Sequence, residues 1–151
     1  MLSIEVQNRI LQYNPWFAQP EQSDVWIRRY LPEKYVPRDA EPANLRNDRA
    51  LLIVGPRQSG KSTLAWRLLQ SYASNIFYLN LEDPLLRSAL SAAVELSSLL
   101  REQYSFIRVI FLEEAQHLAD AGIFVKGLVD AKLDIPVLVT GSSSFHSKMH
   151  L

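Results

Sequence analysis

Apolar side chains recur at helical spacing from the start of the chain: Leu2, Val6, Ile10 and Tyr13 fall on one helical face. Pro15 ends that helix, because a residue preceding a proline is pushed out of the α region. Trp16 and Phe17 follow, then a short helical stretch over residues 25–30 and a segment punctuated by Pro32, Pro37 and Pro42. Disordered tails seldom carry two tryptophans and three tyrosines, so residues 1–49 read as an ordered arm wrapped on a core.

From residue 50 the pattern changes to short, unbroken apolar runs alternating with helical ones. The runs at 51–54, 76–81, 109–112 and 136–140 predict four strands. Leu64, Leu68, Leu69 and Tyr72 predict a helix after the first strand. Asp83 as N-cap and Pro84 at the first helical position start another, with Leu86, Ala89, Leu90, Ala93 and Val94 as its apolar face. After the third strand the helical pattern is expected to be interrupted at Gly122 and Gly127. Strands apolar on both faces and separated by helices mean a parallel sheet covered on both sides. The expected fold class is therefore α/β, a three-layer α/β/α sandwich over residues 50–151 with the helical, proline-rich arm before it.

Composition narrows the setting. At 151 residues with 48% apolar side chains, the chain is the size of one ordinary domain, with enough apolar residues for a core. Sixteen basic and sixteen acidic side chains cancel, so no net field draws it to nucleic acid or a membrane surface. There is no cysteine, which excludes disulfides and thiolate metal sites. The first residues lack the basic-then-apolar order of a signal peptide, and no apolar run approaches bilayer length. A cytoplasmic protein is expected.

The chemistry is concentrated in Gly55, Pro56, Arg57, Gln58, Ser59, Gly60, Lys61, Ser62 and Thr63, directly after the first strand. Two glycines let the chain wrap so that backbone N–H groups point inward at phosphate oxygens. Lys61 supplies a point charge for the β- and γ-phosphates, and the Ser62 hydroxyl completes a Mg²⁺ shell. The helix starting near Lys61 adds the positive end of its dipole. The plainer reading is a glycine-rich strand-to-helix turn with an accidental lysine, and the strand–loop–helix context weighs against it. ATP with Mg²⁺ is the expected ligand.

A second constellation opens at the end of the third strand with Glu113 and Glu114. Ligands of open α/β sheets bind beyond the carboxyl ends of the strands. In P-loop ATPases this is the Walker B position, where the first acid serves the Mg²⁺ shell and a following glutamate polarises the attacking water. Glu113 is the metal-side acid, in place of the usual aspartate, and Glu114 the base. Taken alone, two glutamates opening a helix are more often surface residues that complement its dipole. The fourth strand ends in Thr140, Gly141, Ser142, Ser143 and Ser144. Thr140 and Ser142 are candidates to sense the γ-phosphate; the alternative is a Gly/Ser loop that merely closes the strand. His146 and His150 stand four apart without a nearby carboxylate, and His117 reads as a surface residue. A hydrolase nucleophile among the serines is not supported, because no G-x-S-x-G elbow is present.

Together these residues resemble the AAA+ superfamily, more narrowly the bacterial and archaeal ATPases with an AAA+-like core. The resemblance lies in Gly-Pro-Arg-Gln-x-Gly-Lys-Ser at 55–62, Tyr-Leu-Asn-Leu-Glu-Asp-Pro at 78–84, hydrophobic-Glu-Glu-Ala-Gln at 112–116 and Thr-Gly-Ser-Ser-Ser at 140–144. It implies a strand order 1-4-3-2 that sets Thr140 beside Lys61 and Glu114. It also implies ATP hydrolysis, often by homo-oligomers that donate an arginine in trans. Relatives place aromatics before the first strand near adenine; Trp26, Tyr30 and Tyr35 either stack on the base or anchor the arm. Relatives also continue with a fifth strand, a lid and a further domain, so the chain is expected to be an N-terminal portion lacking that fifth strand. No arginine follows Arg108, which leaves Arg57 as the nearby candidate to reach a γ-phosphate. Three functions are compatible: a slow Mg-dependent ATPase core, a nucleotide-binding interaction module that distinguishes ATP from ADP for an unknown protein partner, and a small-molecule kinase. An arginine-rich lid, which kinases need, is absent from the sequence after Arg108.

Overall fold

The structure, a computed structural model, describes residues 2–31, 45–56, 60–90 and 92–142. Four parallel strands, β1 (Ala50–Val54), β2 (Ile76–Asn80), β3 (Val109–Glu113) and β4 (Val137–Gly141), form one sheet in the order β1-β4-β3-β2. The order and the parallel sense are those expected.

Pleating sends alternate residues to opposite faces, and each face has its own core. Tyr78, Phe111 and Leu138 lie beneath α3 (Lys61–Leu69), with Ala65, Trp66 and Leu69 packed on them and Trp16 and Ile27 of the arm beside them. Phe77, Leu79, Ile110, Leu112 and Val139 face α4 (Pro84–Ala89), α5 (Ala93–Gln103) and α6 (Ala121–Asp130). The apolar face of α3 turns about Trp66, fully buried, rather than about Leu68 and Tyr72, which are only half-buried.

Two local expectations are corrected. Gly122 and Gly127 do not interrupt a helix; α6 runs through both. Leu86 to Val94 is not one apolar face, because Leu90 leaves the helical region (φ −94°, ψ 64°), ends α4, and lets α5 begin with Val94 67% exposed. Asp83 does cap α4 as expected, its side chain accepting from the Leu85 N–H, with Pro84 at the first position.

In the arm, α1 (Ile4–Tyr13) starts at a Ser3 cap and buries Val6 and Ile10; α2 (Ser23–Arg28) buries Ile27. The arm lies along β2, at the edge of the sheet. The Asn14 side-chain amide donates to the Tyr78 carbonyl at 2.9 Å, its oxygen accepts from the Tyr78 N–H at 2.7 Å, and the Trp16 indole N–H donates to the Ile76 carbonyl at 2.8 Å. Side chains thus take the place of a neighbouring strand. Among the described residues, no helix is long and apolar enough to cross a membrane.

Candidate functional site

Three strand ends and one helix start meet at the carboxyl edge of the sheet. β1 delivers Gly55, whose N–H donates to the Gly141 carbonyl at 3.2 Å and so holds the loop against the tip of β4. Gly60 has φ 83°, the left-handed region, and stands as the N-cap of α3. Having no side chain, it leaves the amides of the first turn clear, and the left-handed bend turns the chain from loop into helix. Arg57, Gln58 and Ser59 lie outside the described residues, as do Tyr35, Ser143, Ser144, His146 and His150.

Lys61, the first residue of α3, is only 6% exposed. A buried ammonium needs compensation, and it has two partners: the Glu114 carboxylate at 3.3 Å and the Pro56 carbonyl at 3.4 Å. Ser62 follows, its hydroxyl donating to the Glu113 carboxylate at 2.5 Å. Thr63, half-buried, completes the first turn. The other oxygen of Glu113 accepts from the Tyr78 hydroxyl at 2.6 Å. Tyr78 is buried, which raises its phenol pKa; the Glu113 charge and hydrogen bond raise it further, so it remains a donor.

Glu114 directly follows β3 in a left-handed conformation (φ 58°, ψ 46°), with its carboxylate against Lys61. Its N–H donates to the Thr140 hydroxyl at 3.2 Å, and its second oxygen accepts from the Gln116 amide at 2.6 Å. Gln116 in turn accepts from the Ser142 N–H at 3.1 Å, tying Glu114 to the loop after β4. Burial alone would raise the Glu114 pKa. The Gln116 and Lys61 hydrogen bonds and the Lys61 charge outweigh it and hold the carboxyl below its usual range.

Lys61, Ser62, Glu113, Glu114, Thr140 and Ser142 are thereby brought together. Ser62 and Glu113 offer a hydroxyl and a carboxylate oxygen side by side, the hard donors that Mg²⁺ takes. Glu82, Glu114 and His117 also each bring a ligand atom within 4.8 Å of the others. There, Lys61 already contacts Glu114, and the Arg87 guanidinium lies 3.4 Å from the exposed His117, so two of the three groups already have a cationic neighbour. Tyr30 stacks on Trp66 at 4.1 Å, which anchors the arm to α3. Trp26 lies instead under the Arg29 guanidinium at 4.5 Å. Sequence alone assigns no role to Tyr78 or Gln116. Each works through a neighbour whose position depends on strand register or loop path.

A four-stranded parallel sheet in this order, with a glycine-started helix following β1, defines the P-loop nucleoside-triphosphatase fold. A family model described as AAA domain matches residues 47–151, and the chain belongs to that family of AAA-type P-loop ATPases, a nucleotide-binding class. No curated protein matches the chain.

Proposed function

We propose that the chain binds ATP with Mg²⁺ and hydrolyses it slowly. The observation that carries this reading is the convergence of Lys61, Ser62, Glu113, Glu114 and Thr140 on one strand edge. Residues 55–63 are its Walker A element: Lys61 holds the β- and γ-phosphates after leaving Glu114, and the amides at the start of α3 face the same phosphates. Glu113 and Glu114 form its Walker B element. Ser62 and Glu113 would hold Mg²⁺, which when bound would supply charge neutralisation at the phosphates. Glu114, its carboxylate still hydrogen-bonded by Gln116, accepts a proton from the attacking water, and Thr140 fixes the backbone that aims it.

Binding of a fluorescent ATP analogue and Mg-dependent turnover, followed across a wide protein concentration range, test the reading. Lys61→Ala is expected to weaken binding on the order of 100-fold, the loss of several charge-assisted hydrogen bonds. Glu114→Gln is expected to bind ATP but lose about 10²- to 10⁴-fold in turnover. Unchanged affinity in Lys61→Ala refutes the assignment. Turnover that rises with concentration identifies a homo-oligomer in which subunits complete one another.

A second reading follows from Glu113, both of whose oxygens are already engaged, by Tyr78 and Ser62. It is a nucleotide-dependent interaction module with negligible hydrolysis. Its signature is a partner or oligomer interface that differs between ATP and ADP; identical light scattering with both nucleotides counts against it.

A further inference from the structure

We propose that Tyr78 is a positioning residue for the metal step, and that its hydroxyl is what lets a glutamate serve at position 113. The inference rests on the reading of Glu113 as the Mg²⁺-side acid. In the β2–β3 register Tyr78 is opposite Phe111 and Asn80 is opposite Glu113, so Glu113 is the diagonal neighbour of Tyr78 on the same face of the sheet. Diagonal neighbours are about 7–8 Å apart, a gap that a long aromatic side chain spans.

The tyrosine is held from all sides. Its ring meets Trp66 at 4.9 Å, Phe111 at 5.3 Å, Tyr30 at 5.8 Å and Tyr13 at 5.9 Å. Its backbone is clamped by Asn14 at both N–H and carbonyl. The hydroxyl is therefore a fixed point, and it takes one oxygen of Glu113 at 2.6 Å while the other oxygen meets Ser62 at 2.5 Å. The carboxylate is stretched between a rigid donor in β2 and the serine beside which the metal would bind. An aspartate would be shorter by one carbon, roughly an ångström of reach, and would not span both contacts. The extra methylene of Glu113 is accommodated by a partner placed to orient it.

The test compares Tyr78→Phe, which keeps the ring and removes only the hydroxyl, with the wild-type chain. A fluorescent ATP analogue is titrated in EDTA and in Mg²⁺, and Mn²⁺ bound in the presence of ADP is counted by electron paramagnetic resonance. The expected result is unchanged affinity in EDTA and about 10-fold or greater weakening of Mn²⁺ binding, the size seen when a residue orienting a metal ligand is lost. In a Glu113→Asp background the same change should alter Mn²⁺ affinity by less than about twofold, since the two groups no longer couple. Equal Mn²⁺ affinity in wild type and Tyr78→Phe overturns the inference and leaves the functional reading intact. Equal losses in EDTA and Mg²⁺ also overturn it, because they mark a packing role. A wild-type chain whose nucleotide binding is indifferent to metal overturns both. If Tyr78→Phe does not fold, Glu113→Asp alone decides: it should lose Mn²⁺ affinity about 10-fold despite its carboxylate, and parity with wild type refutes the proposal.

Discussion

Glu114 occupies the left-handed region, which costs a residue with a Cβ about 1–2 kcal/mol, and its carboxylate is half-buried. Lys61, Gln116 and Thr140 hold it there, an arrangement expected where geometry serves chemistry. The same contacts give a pH signature. The folded-state pKa of Glu114 lies below its unfolded value of about 4.3, so its contribution to stability is complete above that value. It is lost as pH falls through the depressed folded value. Urea midpoints measured from pH 7 to pH 3 should therefore show wild type falling more steeply than Glu114→Gln below about pH 4.5. Parallel curves would mean that the Lys61–Glu114 pair contributes nothing to folding. As candidates, Lys61, Ser62, Glu113, Glu114 and Thr140 were legible because each stands in a motif beside an apolar strand, and the structure brings them together. Tyr78 looked like one more strand residue, since nothing local says which residue of β3 will lie diagonal to it.

At the scale of elements, the strands were legible because four or five consecutive apolar residues between polar turns leave little choice. The helices were less so, and α6 shows why. A glycine costs a helix interior about 1 kcal/mol relative to alanine, a local penalty that tertiary packing overrides. At Gly127 the packing is visible: a Cβ there would come within 2.7 Å of the Ala93 Cβ, where α5 and α6 cross. The glycine is the close-approach point of two helices, not a break in one. Gly127→Ala pits the propensity gain against a clash with a stiff partner. Overpacking typically costs about 1–3 kcal/mol, so the variant should be less stable than wild type by urea unfolding. Ala93→Gly in the same chain should recover part of the loss. A stabilised Gly127→Ala would show that α5 and α6 move apart freely. The break between α4 and α5 at Leu90 was hidden for a related reason: Leu86 in α4, Leu90 at its C-terminal cap and Leu96 in α5 are all buried and apolar, so burial alone does not mark where one helix ends.

For the whole molecule, the arm decides what becomes of the β2 edge of the sheet. An uncovered edge strand presents unpaired N–H and carbonyl groups, a template for association with another chain. β2 is such an edge, and the arm covers it with side chains: Asn14 on Tyr78, Trp16 on Ile76, and behind them Arg9 and Tyr13 on Asp83 at 2.5 and 3.0 Å. Burial and the bond to Asp83 lift the Tyr13 phenol to about 12, so it stays a donor at neutral pH. Aromatic content leads to the expectation of an ordered arm over residues 1–49, and the task of its described part, residues 2–31, was not legible, because an asparagine after a helix reads as an ordinary cap. Asn14 is 1% exposed, and Asn14→Leu keeps the branched shape of the side chain, though not its volume, while leaving the Tyr78 N–H and carbonyl buried and unpaired. Each such group costs about 1–3 kcal/mol, so the variant should lose about 2–6 kcal/mol of stability and, at high concentration, associate through the opened edge. Unfolding and size-exclusion chromatography measure the two effects separately. Because Asn14 also holds the backbone that carries the Tyr78 hydroxyl to Glu113, variants that remain folded should bind Mn²⁺ more weakly than wild type. An Asn14→Leu chain that stays monomeric and unfolds at the wild-type midpoint would show that the edge is protected by the bulk of the arm and not by this one amide.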